Sequence, residues 1–180
     1  MEAELPLERV HYFTGQVLSA DDFRAEQNYF LTRLRRRNRH LHGWGVVAGL
    51  AVSIEESGSL MIDSGLAIDC AGNEIVVPSQ QELSIPGGLE AGYLALAYVE
   101  TPTSPTPALD PSGDPEAPAT FTRIREAFRL ELSPANPCSG HGRSGPGTAG
   151  CGLPHAICIA RFRKRKRRGW SIEARGRRRA

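Results

Sequence analysis

One long helix with a well-marked start is the feature that most constrains this chain. Ser19 is a good N-cap, and Asp22 three residues later completes the pattern of a capping box. Gly43 can take the left-handed conformation that ends a helix. Between these limits, seam residues recur at alternating spacings of four and three: Phe23, Gln27, Phe30, Leu34, then Arg37 or Asn38, and Leu41. This heptad-like pattern predicts a long amphipathic helix.

Two interpretations of the seam stay open. A polar residue such as Gln27 or Asn38 in a seam between identical helices costs stability but fixes their register, which favours self-association. Fewer than three heptads are present, so an ordinary two-sided helix lying on its own sheet also fits. In the first interpretation, residues 1–50 form a docking segment of a strand and the helix. Its predicted interface consists of Phe23, Gln27, Phe30, Leu34, Asn38, Leu41 and Trp44.

After residue 50 the hydrophobic period changes from that of a helix to that of β-strands. Short apolar runs at 50–54, 59–62, 66–69 and 74–77 are separated by Gly-containing turns, which predicts a meander of hairpins. Further runs at 83–85, 93–99 and 120–132 add strands. The expected fold is α+β and mainly β: an N-terminal strand and the helix, followed by an antiparallel β-sandwich or small barrel over residues 51–180.

Six prolines interrupt the β pattern between residues 101 and 120. With almost no large apolar side chain beside them, they predict a long exposed loop. The loop is compatible both with a mobile excursion and with a segment that lies along a neighbouring subunit.

Cysteine and histidine concentrate in a Gly-rich loop, residues 138–158. Thiolates and imidazoles are ligands of tetrahedral zinc, and a metal would order a loop that has little to bury. The candidate ligands for a structural zinc are Cys138, His141, Cys151 and His155. A disulfide between Cys138 and Cys151, or unlinked thiols, are the open alternatives. Cys70 is predicted to be a free thiol, and Cys158 a buried cysteine of an apolar run.

The C-terminal region is strongly basic, although the net charge of the chain is only +2. The basic patch comprises Arg163, Lys164, Arg165, Lys166, Arg167 and Arg168. It suits nucleic-acid phosphates, so a small nucleic-acid-binding module is the alternative function. The run also sits between two apparent hairpin arms, with no aromatic residue inside it for base stacking. A solvated turn, or an acidic face on a partner subunit, is therefore favoured.

Motifs for catalysis and for membrane insertion are absent from the sequence. It lacks a Gly-x-Ser-x-Gly elbow, a phosphate-binding Gly-x-x-x-x-Gly-Lys loop and a His-Glu-x-x-His motif. No run approaches the roughly 18 to 20 apolar residues that cross a bilayer, and the N-terminus has no signal-peptide pattern. We therefore expect a non-enzymatic protein that is made in the cytoplasm.

Several motifs resemble a family of small proteins encoded with phage-tail-like contractile injection systems. They are YFTGQ at 12–16, DFRAEQ at 22–27, LHGWGVV at 41–47 with GL at 49–50, GLAID at 65–69 and TRIRE at 122–126. The resemblance implies a structural part of a contractile particle, at its baseplate, fibre attachment or outer shell. Expected partners are other tail subunits and further copies of the chain, as a trimer or hexamer, in a particle that can leave the cell. The resemblance supplies no catalytic residues.

Overall fold

The computed structural model describes residues 6–106, 120–141, 150–165 and 169–176, and it shows one long helix and ten β-strands. Helix α1 spans Ala20–Arg37 and continues into a π-helical turn, Asn38–His42. The Ser19 hydroxyl accepts a hydrogen bond from the Asp22 amide, and the Asp22 carboxylate accepts one from the Ser19 amide at 2.7 Å. Gly43 ends the helical stretch with a φ of 70°. The predicted start and end of the helix are therefore found.

All strand pairs are antiparallel, and the mainly β class predicted from the sequence is confirmed. The strands are β1 (Gly45–Gly49), β2 (Val52–Ile54), β3 (Ser59–Ile62), β4 (Gly65–Ile68), β5 (Glu74–Val77), β6 (Gln81–Ser84), β7 (Ala91–Thr106), β8 (Thr120–Ser133), β9 (Ile157–Arg165) and β10 (Gly169–Ala174). The last two strands form the hairpin that the C-terminal sequence predicts.

The strands form three sheets, ordered β1-β4-β5, β2-β3-β6 and β10-β9-β7-β8. Two of the predicted hairpins, β2–β3 and β4–β5, are found, but the continuous meander is wrong, because β3 pairs with β6 and not with β4. Within the described residues the three sheets do not join into a closed barrel, so that alternative is wrong as well. Two glycines permit the β1–β4 pairing: a Cβ on Gly49 would lie 2.1 Å from the Ser64 carbonyl oxygen, and one on Gly65 would lie 2.4 Å from that of Ala48.

One hydrophobic core receives side chains from all three sheets. Its largest fully buried apolar members are Phe162, Leu60, Ile62, Ile75, Leu94, Leu96, Ile157, Ile159 and Val77. Burying an aliphatic or aromatic side chain of this size stabilises a fold by about 1.5–3 kcal/mol. The stability of the protein therefore resides in the β-sheets, and helix α1 contributes nothing to this core.

Strands β7 and β8 extend beyond the sheet as a two-stranded ribbon. Strand β9 accompanies β7 only from Ala91 to Leu96, whereas β8 stays paired with it as far as Thr106. Pro102 lies opposite Ile124, and Pro105 lies opposite Phe121. The prediction of a loop that begins at Thr101 is therefore wrong for its first six residues, and residues 107–119 lie outside the described part of the chain.

The predicted N-terminal strand is not formed in residues 6–19, which are irregular apart from one turn. A strand needs a neighbouring strand for its backbone groups, and this segment lies beside helix α1 instead. Tyr12 donates a hydrogen bond from its hydroxyl to the Glu26 carboxylate on the helix. The segment and the helix flank a groove lined by Leu7, Val10 and Tyr29 among others.

Candidate functional site

Helix α1 has an uncovered apolar face. None of its 18 residues is buried, although a helix of this length normally packs one face on a core. Phe23 is 53% exposed, Phe30 58% and Leu34 45%. The groove between the N-terminal segment and the helix is lined on the helix side by Asp22, Ala25 and Tyr29 among others, and Phe23, Phe30 and Leu34 are not part of its lining. A surface helix lying on its own sheet, the second interpretation of the seam, does not describe this arrangement.

The other four residues of the predicted interface are divided between the solvent-exposed surface and the interior of the chain. Leu41 is 62% exposed, and Gln27 is also exposed. Asn38 and Trp44 are only 3% and 5% exposed, so both lie inside the chain and do not belong to the open face. The π-helical turn explains the change, because its extra residue rotates the side chains that follow Arg37 relative to the seam.

Asn38 ties the base of the helix to the turn between β4 and β5. Its side-chain amide donates hydrogen bonds to the Gly72 carbonyl at 3.0 Å and to the Glu74 carboxylate at 3.2 Å. Gly72, with a φ of +92°, lies so close to the helix that a Cβ would be 2.2 Å from the Arg35 carbonyl oxygen. The backbone of this turn is therefore in direct contact with the last turn of α1.

Replacing Asn38 with alanine should lower the free energy of unfolding by about 1–3 kcal/mol, because it leaves a buried carbonyl without its donor. Urea denaturation followed by circular dichroism measures the loss. The control is Asn28→Ala, which removes the same side chain from an exposed position of the same helix. Equal stability of the two variants would contradict a structural role for Asn38.

A cluster of two cysteines and two histidines includes one residue of this turn, Cys70. One potential ligand atom from each of Cys70, His141, Cys151 and His155 falls within 4.8 Å of the other three. Cys70 is fully buried, and Cys151 is exposed. The cluster therefore joins the β4–β5 turn to both ends of the Cys/His loop.

Cys70 is held by the hydrogen bonds of its turn. The Asp69 carboxylate accepts hydrogen bonds from the Ala71 and Asn73 amides, both at 2.9 Å, and from the Asn73 side chain at 2.8 Å. Gly150 packs directly on the cysteine, since a Cβ there would lie 2.7 Å from the Cys70 sulfur. Burial raises the pKa of the Cys70 thiol to about 12. A bound cation would act in the opposite direction and favour the thiolate.

The two imidazoles present ring nitrogens that have no hydrogen-bond partner among the described residues. The Nδ1 of His155 lies 2.9 Å from the Ala156 carbonyl oxygen, which can only accept, so Nδ1 carries the proton. This leaves the buried Nε2 of His155 as an acceptor with no donor, and the buried Nδ1 of His141 is also unpartnered. The ring centres are 4.4 Å apart. Two such nitrogens beside two thiols are the donor set of a Cys2His2 metal site.

This group differs from the predicted ligand set in one member. His141, Cys151 and His155 are together as predicted, but the fourth residue is Cys70 and not Cys138. The Cys138 sulfur accepts a hydrogen bond from the Cys158 amide at 3.2 Å and lies 3.7 Å from the Ala156 carbonyl oxygen. Burial raises the pKa of Cys138 and takes that of the buried Cys158 to about 11. All four cysteines are thiols in the structure.

The basic hairpin contributes a charged surface away from the cluster. Arg163, Lys164 and Arg165 are exposed on β9, and Lys166, Arg167 and Arg168 lie outside the described residues. The Lys164 ammonium is 5.5 Å from the centre of the Trp170 ring. The Arg161 guanidinium is 5.8 Å from that of Tyr93. These rings are thus engaged with cations of the chain itself.

The described residues define a mainly β protein with an uncovered helix and a Cys2His2 cluster at the base of that helix. None of its described helices has the length and apolarity needed to cross a membrane. No family model and no curated protein matches the chain.

One solved structure shows a similar fold, and two others are reported beside it. The first is a chain in the TssK-TssF-TssG baseplate subcomplex of the type VI secretion system, with a TM-score of 0.50, 12% identity and 93% of this chain covered. A chain in the type VI secretion baseplate complex has a TM-score of 0.48 at 13% identity over 94% of this chain, and TssK in a crystal structure has 0.48 at 14% over 93%. The chain spans 60%, 58% and 41% of their respective lengths. At 12% identity the similarity to the first of these chains concerns the fold alone.

Proposed function

We propose that the protein is a structural, non-enzymatic component of a phage-tail-like contractile injection particle, at its baseplate, fibre attachment or outer shell. The observation that carries the proposal is helix α1, which exposes a row of large apolar side chains and buries none of its residues. An exposed row of this kind is typical of an interaction surface. The sequence motifs and the fold shared with a baseplate chain support the same class of protein.

The occupant of the open helix face is proposed to be the same helix of other copies of the chain. Phe23, Phe30 and Leu34 follow heptad spacing, and Gln27 interrupts them with one polar residue, as in seams that fix the register of identical helices. The resulting trimer or hexamer would meet other tail subunits through its remaining exposed surfaces. The basic hairpin suits an acidic face on such a partner. Assembly would take place in the cytoplasm, and the protein would leave the cell only within a released particle.

We also propose that the Cys2His2 cluster holds a structural zinc ion. Four protein ligands complete a tetrahedral shell and leave no open position for substrate or water. Zinc binds sulfur at about 2.3 Å and nitrogen at about 2.0–2.1 Å, so binding would draw the most distant ligand atoms together by roughly 1 Å. The metal would supply the missing partner for His141 Nδ1 and for His155 Nε2.

A native mass spectrum of the purified, non-reduced protein is expected to show a trimer or hexamer with one zinc ion per chain. The same mass reports a disulfide as the loss of two hydrogens, which separates the metal from its rival. A strictly monomeric protein that never enters particles with tail subunits would contradict the proposed assembly role. A monomer that carries zinc would contradict the assembly alone.

A further inference from the structure

We infer that metal binding at Cys70, His141, Cys151 and His155 fixes the base of helix α1, so that the metal controls how firmly the docking helix is attached to the β-sheets. The inference rests on the metal site proposed above. It extends the role of the metal from ordering its own loop to holding the C-terminal end of helix α1, a role that we call the clamp. Three contacts between the cluster and the helix base carry it.

The first contact runs through the turn that contains Cys70. Two residues further on, Gly72 lies against the Arg35 backbone and accepts the hydrogen bond from Asn38. Any movement of Cys70 on metal binding or release therefore acts on the last turn of the helix. The hydrogen bonds that Asp69 accepts from the Ala71 and Asn73 amides make this turn a stiff connection, because they join its first residue to its middle and to its end.

The second contact joins His141 to the residue that leads out of the helical stretch. Trp44 directly follows the Gly43 cap, is almost fully buried, and meets the His141 ring edge to face with centres 5.7 Å apart. His141 in turn packs on His155. A metal that holds both imidazoles would therefore also fix the indole that anchors the exit from the helix.

The third contact lies next to Cys151. A Cβ on Gly152 would be 3.2 Å from a guanidinium nitrogen of Arg39, which belongs to the π-helical turn. Gly152 has a φ of +82°, a conformation that favours glycine and lets the loop backbone approach Arg39 closely. The β4–β5 turn, His141 and the Cys151 loop therefore all contact the stretch between Arg35 and Trp44.

These contacts matter because they join the C-terminal end of the helical stretch both to the β4–β5 turn and to the Cys/His loop. None of the α1 residues is buried, so the attachment of the helix depends on the junction at residues 38–46. The ion pair of Arg35 with Glu100, at 3.2 Å, joins two partly exposed groups and is weak on its own. Removing the metal should loosen the junction while the core between the sheets stays intact.

Hydrogen–deuterium exchange tests this inference when it is measured on the zinc-loaded full-length protein before and after chelation. Exchange in peptides covering residues 38–46 should accelerate about tenfold or more on zinc removal, while peptides from β3 and β6 stay unchanged. Faster exchange confined to residues 138–156 would overturn the inference and leave a metal that only staples its own loop. The readout lies in the junction and does not depend on self-association of the open face.

Two variants distinguish an effect of the metal on the junction from side effects of the chelator and from changes elsewhere in the chain. Cys151→Ser, at an exposed position, should reproduce the effect of chelation without a chelator. Asn38→Ala should still bind one zinc ion per chain, but its zinc-dependent protection at residues 43–46 should fall, whereas Asn28→Ala should keep it. Full protection in Asn38→Ala would show that the turn does not transmit the effect. A protein that binds no zinc would overturn the clamp and the metal site together, without bearing on the helix interface.

Discussion

The double variant Phe30→Glu/Leu34→Glu is expected to be a folded monomer at concentrations where the unchanged protein forms the proposed trimer or hexamer. Each apolar side chain that becomes buried on assembly contributes about 1.5–3 kcal/mol, and a carboxylate in the same place adds a desolvation cost. The loss of about 3 kcal/mol or more corresponds to a dissociation constant raised at least about a hundredfold. Sedimentation velocity measures the change in mass.

The matched control is Asn28→Glu, which adds a negative charge to the same helix outside the row of Phe23, Phe30 and Leu34. It should assemble like the unchanged protein. Circular dichroism of all the variants should be alike, because α1 contributes no side chain to the core. An unchanged oligomer in the double variant would show that the open face is not the interface between copies.

Cys70→Ser is expected to abolish stable zinc binding, whereas Cys138→Ser should retain it. One of four ligands is lost in the first variant, which should reduce zinc affinity by more than about 100-fold. The second variant removes a thiol that is engaged with the Cys158 amide and lies outside the cluster. Metal analysis by inductively coupled plasma mass spectrometry, together with a competitive chelator, gives stoichiometry and affinity.

The opposite pattern would assign the metal to Cys138 and contradict the arrangement in the structure. Serine replaces cysteine with little change in volume. Misfolding is therefore not the expected cause if Cys70→Ser, a change at a buried position, abolishes zinc binding. The melting temperature of the metal-free variant decides this, since it should equal that of the chelated unchanged protein. A lower melting temperature would indicate damage to packing and not the loss of a ligand.

Local patterns in the sequence were sufficient to predict the elements whose formation depends on neighbouring residues. Ser19 and Asp22 form the predicted capping box because its partners are only three residues apart. Gly43 ends the helix for an equally local reason, its access to positive φ. The strands between residues 52 and 77 also lie where the runs and turns predict them.

Pairing between distant segments could not be predicted in the same way. The order β1-β4-β5 depends on the close approach of Gly49 and Gly65, and neither glycine reveals its partner in the sequence. The N-terminal segment has a strand-like composition, yet residues 6–19 form no strand and Tyr12 contacts helix α1 through Glu26. The two prolines at the start of the predicted loop likewise stand inside β7, where β8 alone accompanies that strand.

The Cys2His2 cluster shows the same limit of prediction at the level of single residues. His141, Cys151 and His155 could be grouped because they are near one another in the sequence. Cys70 is far upstream, and only the folded sheets bring its turn to Gly150. Its position in a tight turn between two strands was the sole sequence signal, and an isolated buried cysteine is usually a packing residue.

The ribbon of β7 and β8 has a consequence for solubility. The pairing of β9 with β7 ends at Leu96 of β7. Beyond that residue, the outer edge of β7 would otherwise offer a row of backbone donors and acceptors to the strands of other molecules. Pro102 and Pro105 have no amide hydrogen, and Ser104 between them adopts a positive φ of 56° that disturbs a regular strand. An arm of this kind resists edge-to-edge polymerisation, so the free protein is expected to persist at high concentration without forming fibres.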